Sequence, residues 1–138
     1  MVYTLDSNTV SYLLRSEGNV RQHFEQEIAQ IGNPYAIPFV VAYEVRRWLH
    51  DKPTRQIKIL SLQFDALFQN VEDRAEMPSA VWEKAVEVYI SLKQKGQLIG
   101  DVDILIEAYC LVNEYILVTR NTDDFKRIDS LLFVNCYG

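Results

Sequence analysis

The run Tyr115-Ile116-Leu117-Val118-Thr119 constrains the fold more than any other stretch of this chain. Its apolar residues stand at successive rather than alternate positions, so a strand there needs cover on both faces. Such a strand belongs inside a sheet flanked by helices. The rest of the chain supplies matching pieces. Val2–Leu5, Tyr35–Ile37, Phe68–Val71 and Leu131–Val134 read as further short strands. Helical patterns lie between them: Thr9–Leu14, capped by Ser7 or Asn8, and Val20–Ile31, with Val20, Phe24, Ile28 and Ile31 at helical spacing. Pro38 to about His50, Arg55–Leu67, a long helix begun by Met77-Pro78-Ser79 and ending near Gly96, and Asp103–Asn113 complete the set. Strands alternating with helices imply an α/β sandwich around a mostly parallel sheet. No linker, repeat or low-complexity segment divides the 138 residues, so residues 1–138 are expected to form a single domain.

Composition narrows the functional classes. With 49% hydrophobic and 24% charged residues, the chain has the makeup of a folded protein. Its longest apolar runs, Ile37–Tyr43 (interrupted by Pro38) and Tyr115–Val118, are too short to cross a bilayer. The N-terminus shows no basic region followed by a long apolar stretch, so no membrane role and a cytoplasmic location are expected. Cys110 and Cys136 form no CxxC pattern and are expected to be reduced thiols. A net charge of −5 argues against attraction of nucleic acid by the overall field. Two routes to nucleic acid stay open: local basic patches, or divalent cations bound in an acidic pocket.

In a parallel α/β sheet, ligands bind beyond the carboxyl ends of the strands. Asp6 lies just past the first expected strand, and Asn121, Asp123 and Asp124 lie just past Tyr115–Thr119. The two groups share one end of the sheet if those strands are parallel neighbours. Glu44 falls on the helix after the second strand, near an apolar face formed by Val40, Val41 and Tyr43. Asp101 and Asp103 open a later helix, and Glu107 follows Asp103 by one turn. Singly, each acid has an ordinary use. Asp6 can cap a helix, and Asp103 can gain about 0.3–1 kcal/mol at a helix N-terminus. Glu44 can pair with Arg46 or Arg47, and Asp123 and Asp124 can be loop residues.

Together they would repel one another unless a cation neutralised them. All-oxygen ligands select Mg2+ or Mn2+. His23 and His50 have no partner at zinc-ligand spacing, and no phosphate-binding glycine loop or nucleophile elbow is present. An oxygen-only divalent site suits hydrolysis of phosphodiesters. A phosphatase of the haloacid dehalogenase type also opens with a strand and an Asp, but it needs a second Asp where Asn8 stands. A phospho-receiver domain would need an early acidic pair that this chain lacks.

Four motifs, in order, resemble those of PIN-domain ribonucleases, particularly the toxin members of VapBC-type toxin–antitoxin pairs. Leu5-Asp6-Ser7-Asn8 is similar to the family's Leu-Asp-Thr-Asn strand end, with Ser7 keeping the hydroxyl. Glu44 matches the acid on the helix after strand two. Asp103, in Gly100-Asp101-Val102-Asp103, matches the acid of a helix opening. Val118-Thr119-Arg120-Asn121-Thr122-Asp123-Asp124-Phe125 matches the last motif, with Asp124 as the fourth acid and Asp123 as its rival.

The resemblance covers nearly the whole chain and implies a PIN-like three-layer α/β/α sandwich. It also implies a ribonuclease that uses Mg2+ or Mn2+. Asp6, Asp103, Glu44 and Asp124 would be the catalytic and metal-binding acids, with Ser7, Asn8, Thr119 and Asn121 orienting them. Arg120, Arg46 and Arg47 are candidates for holding phosphate. An RNA substrate, a homodimer and a cognate antitoxin are implied as partners. The alternative is a degenerate PIN domain that binds RNA or protein without cutting.

The chain departs from the pattern at Glu107, where many relatives have Ala; this acid either joins the site rim or faces water. Another departure follows Glu44, where Val45-Arg46-Arg47-Trp48 replaces Leu and a small residue. Val10, Leu13 and Leu14 are read as core, with a partner surface as the alternative.

Overall fold

The structure, a computed structural model, describes residues 2–15, 34–51, 56–71, 77–119, 122–126, 128, 131 and 133–134. In chain order these form β1 (Tyr3–Leu5), α1 (Ser7–Arg15), β2 (Tyr35–Ala36), α2 (Phe39–Asp51) and α3 (Ile57–Gln69). Then follow α4 (Ser79–Gln94), α5 (Asp101–Asn113), β3 (Ile116–Val118), α6 (Thr122–Phe125) and β4 (Phe133–Val134). The helix expected over Val20–Ile31 lies outside the described residues.

The strands make one sheet in the order β2-β1-β3-β4, every pair parallel. The central pair, β1 and β3, is registered Tyr3 to Ile116, Thr4 to Leu117 and Leu5 to Val118. Leu5, Leu117 and Val118 are wholly buried, as the unbroken apolar run requires. Each such side chain contributes roughly 1.5–3 kcal/mol of burial free energy. The α/β sandwich with a parallel sheet follows the sequence reading.

Helix faces obey the 3.6-residue repeat. In α2 the buried residues are Val41, Ala42, Val45 and Leu49, and in α4 they are Val81, Ala85, Val88 and Leu92. On α1, Val10, Leu13 and Leu14 are buried, so the core reading of that stripe holds. Helix α5 differs: Ile104 and Ile106–Cys110 are all buried, which places it deep in the molecule, packed along α4. It starts two residues earlier than expected, at Asp101, with Gly100 at its N-cap position. After α4 the chain turns at Gly96, whose φ of +68° suits a residue without a Cβ.

One expected strand is absent. Phe68–Val71 reads as extended from its composition, yet α3 continues through Phe68 to Gln69. Phe64 and Phe68, four residues apart on the helix, stack with centroids 5.7 Å apart, and Phe39 meets Phe68 edge-on at 6.1 Å. These contacts hold Phe68 in the helix against its β propensity. Among the described residues, no helix is long and apolar enough to cross a membrane.

Candidate active site

The chain runs from β1 to β2 on one side and returns with β3 on the other. The crevice beyond the carboxyl ends of β1 and β3 is therefore the switch point of the sheet, where α/β folds place ligands. With Leu5 opposite Val118, the next residues, Asp6 and Thr119, leave the sheet side by side. Asp6 is 6% exposed and Thr119 fully buried. The end of Tyr115–Thr119 and the end of the first strand do share one edge of the sheet, as parallel neighbours.

Asp6 caps α1. The Thr9 backbone N–H donates to Asp6 Oδ1 at 2.8 Å, so Asp6, rather than Ser7 or Asn8, is the N-cap. Thr9 also ties the helix to the sheet, its hydroxyl donating to the Val118 carbonyl at 3.1 Å. Burial pushes the Asp6 pKa up. Hydrogen bonds from Thr9 and Thr119 oppose that shift, and the charge of Glu44 adds to it.

Glu44 is half-buried on α2. The Ser7 hydroxyl donates to Glu44 Oε1, linking the first turn of α1 to α2 across 37 residues of sequence. Asn8, the next residue, is exposed. Asp103 is half-buried in the first turn of α5, while Asp101 is exposed. Glu107, one turn further, is fully buried and does not face water. Its charge and that of Asp6 both bear on the Cys110 thiol. That thiol is pushed up to about 12, first by burial and then by the two carboxylates, against a hydrogen bond with Thr4.

At the last motif, Asp123 is exposed and lies 3.8 Å from Lys126. Asp124 falls within α6, and its side chain, like Arg120 and Asn121, lies outside the described residues. The two neighbouring arginines part company. Arg46 turns to α3, 3.5 Å from Asp65 and over the rings of Phe64 and Phe68. Arg47 lies over the Tyr43 ring and lines a pocket of about 360 Å³ that also receives Glu44 and Ser7.

That pocket brings in Arg15 and Trp48, which motif matching missed. The signal was nonetheless present in the spacing. Ser7, Ser11 and Arg15 recur at i, i+4 and i+8 on α1, and Glu44, Trp48 and Asp51 at i, i+4 and i+7 on α2.

The described donors are carboxylate oxygens: Asp6, Glu44, Asp103 and Glu107. Among the described residues, no three Asp, Glu, His or Cys side chains are already arranged as a metal cage. The chemistry of the donors still fits a hard divalent cation, because Asp6 is desolvated and bears the charge of a second carboxylate. A cation there offsets both costs.

Comparison with known proteins identifies the fold and the family. The chain is 26% identical over 136 residues to "Ribonuclease VapC2" of Rickettsia felis, covering 98% of each. A chain in the crystal structure of VapBC2 from Rickettsia felis bound to a promoter DNA fragment superposes with a TM-score of 0.84 at 24% identity, covering 98% of both chains. A chain of VapBC-1 from nontypeable Haemophilus influenzae superposes with a TM-score of 0.83 at 20% identity over the full length of both. The PIN domain family profile matches residues 3–131. The protein, with its buried Asp6 at the switch point of a parallel sheet, belongs to the PIN domain family.

Proposed function

We propose that this chain is a metal-dependent endoribonuclease, the toxin of a VapBC-type toxin–antitoxin pair. The observation that carries this reading is Asp6: a buried carboxylate at the switch point, with a second carboxylate, Glu44, bearing on it. Likeness to proteins named ribonuclease VapC supports the choice of RNA as substrate.

Asp6, Glu44, Asp103 and Asp124 would hold Mg2+ or Mn2+. When bound, such an ion lowers the pKa of water and offsets charge on the phosphate. The protein's own side chains set the geometry. Thr9 fixes one oxygen of Asp6, and Thr119 holds the carboxylate from the β3 side. Ser7 holds Glu44. Asp103 would contribute from the first turn of α5, where the helix dipole favours an anion. Asp124 is kept as the fourth acid on the family resemblance, with the role of orienting the attacking water. Water then attacks phosphorus in line as the ester P–O bond opposite breaks. The attacking water loses a proton, and the leaving oxygen gains one.

The same reading makes residues 1–138 a single domain working in the cytoplasm as a homodimer with a cognate antitoxin. Helix α4 offers an apolar face for assembly, since Trp82, Val86 and Ile90 are exposed along one side.

The test is cleavage of single-stranded RNA by the purified protein with Mn2+, with Mg2+ and with EDTA. Cleavage that needs the cation and disappears in Asp103→Asn is expected. Cleavage undiminished in EDTA or in Asp103→Asn overturns the metal assignment. RNA binding without cleavage under any of these conditions points instead to a binding module.

A further inference from the structure

Helix α4 leaves an apolar stripe uncovered. Trp82, Val86 and Ile90, at i, i+4 and i+8, are 51%, 62% and 46% exposed. Trp82 and Val86 also wall a groove of about 350 Å³ between α4 and α5, together with Tyr89 and, from α5, Ile104 and Leu105. One charged side chain, Asp101, lines that groove. A large apolar stripe along the rim of an apolar groove has the character of a docking surface.

The charges on α4 indicate what docks there. The helix carries four: Glu83, Lys84, Glu87 and Lys93. Lys84 and Glu87 bridge each other at 2.9 Å. Glu83 and Lys93 are exposed at opposite ends of the apolar stripe. Both lie on its face, since Glu83 precedes Ile90 by two helical turns and Lys93 follows Val86 by two. Lys93 Nζ lies 5.9 Å from the centroid of the Tyr89 ring, which directs it toward the groove that Tyr89 lines. A second copy of α4, turned antiparallel about a two-fold axis level with Val88, satisfies both features at once. Val86 of each copy comes level with Ile90 of the other, and Glu83 with Lys93. The apolar pair and the charged pair share that one centre, and each pairing repeats across the axis, as an isologous interface requires. A parallel arrangement would set Glu83 against Glu83 and Lys93 against Lys93.

We propose that two copies of this chain pack α4 antiparallel across a two-fold axis, with Val86 against Ile90 and Glu83 against Lys93. The inference rests on the homodimer reading given above and is independent of the ribonuclease reading. Trp82, Val86 and Ile90 supply the affinity, because buried apolar and aromatic anchors carry most of the energy of an interface. The Glu83–Lys93 pairs add little affinity and fix direction and register.

The dimer Kd of the full chain, measured by sedimentation equilibrium, tests this. Val86→Asp places a charge at the centre of the stripe and should raise Kd roughly a hundredfold. Glu83→Lys and Lys93→Glu each turn two attractive pairs into repulsive ones and should raise Kd roughly tenfold. An equimolar mixture of those two variants restores opposite charges at both ends of a mixed dimer. It should therefore associate more tightly than either variant alone and approach the wild type. The differences between the charge variants and the wild type should shrink at high salt.

A dimer whose Kd is unchanged in Val86→Asp and in both charge variants overturns the α4 interface and leaves the homodimer reading standing. Weakened variants whose mixture does not recover overturn the antiparallel register. A wild type that stays monomeric at every concentration overturns the homodimer reading and this interface with it; a different protein as the occupant of the stripe gives that result. Glu83, Val86 and Lys93 are exposed, and a circular dichroism spectrum matching the wild type confirms that each variant is folded.

Discussion

The Thr9 backbone N–H donates to Asp6 Oδ1 at 2.8 Å, so the carboxylate that ends β1 also starts α1. Capping and ion binding are therefore compatible duties of one side chain, since a carboxylate has acceptor sites beyond the one Thr9 uses. The two duties can be separated by substitution. Asp6→Asn keeps a good cap and removes the charge, whereas Asp6→Ala removes both. In EDTA, Asp6→Ala should be about 0.5–2 kcal/mol less stable than Asp6→Asn. Neither should cut RNA.

The wild type should lose stability relative to Asp6→Asn as pH rises. The Asp6 pKa is raised in the folded protein above its ordinary 3.8, so between that value and the folded one the native state holds more protons than the unfolded state. Stability falls across that window and stays reduced above it. Urea unfolding of both proteins at several pH values measures the gap, which should close as pH falls toward 3.8. A gap that does not change with pH contradicts a desolvated Asp6.

The Ser7–Glu44 hydrogen bond joins the first turn of α1 to α2 and holds a candidate ligand in place. Loss of a group that orients a ligand typically costs roughly 10–100-fold in metal affinity or activity. Ser7→Ala should fall in that range when cleavage is measured at limiting Mn2+. Ser7→Thr, which restores the hydroxyl, should cut close to wild type. Equal activity in all three proteins would mean that Glu44 is held by its helix alone.

The parts of the fold most legible in sequence were those set by local chemistry. Tyr115–Thr119 had to be a buried strand, and Asp6 had to follow one. Phe68 was misread because its β propensity is local, whereas the Phe64 and Phe39 contacts that keep it helical are tertiary. Asp6 and Glu44 could be grouped by the strand-end rule and by family resemblance. Their coupling through Ser7 could not, because it depends on how two helices meet 37 residues apart. The pocket shared by Arg15 and Arg47 was hidden for the same reason: each stripe was visible alone, but not that the two face each other.

Cys110 should behave as an inert core thiol. It is buried, and its pKa is pushed up to about 12, so almost no thiolate exists at neutral pH. In a Cys136→Ser protein, a thiol reagent should label Cys110 only at the rate of unfolding. The same shift sets an alkaline limit. Above the ordinary thiol value of 9.0, the unfolded chain loses a proton that the folded chain keeps, so stability should fall as pH climbs from 9.0 toward 12. Cys110→Ala should flatten that part of the curve. Rapid labelling of the native protein at neutral pH would show that the thiol is reached from solvent.

Glu107 poses the sharpest question about the site, because it is a fully buried acid one turn from Asp103. It stands one turn after Asp103 on α5, and residues four apart share a helix face. Its charge reaches the same buried thiol as that of Asp6. A carboxylate so placed adds negative charge to the proposed ion site. Glu107→Gln keeps the shape and removes that charge. Calorimetric titration with Mn2+ should show affinity lowered by roughly 10–100-fold, while the melting temperature in EDTA holds or rises. Glu107→Ala should also weaken binding, but it leaves a cavity and should lower the melting temperature. Mn2+ affinity unchanged in Glu107→Gln would separate this acid from the ion and leave it a buried group of the α5 core.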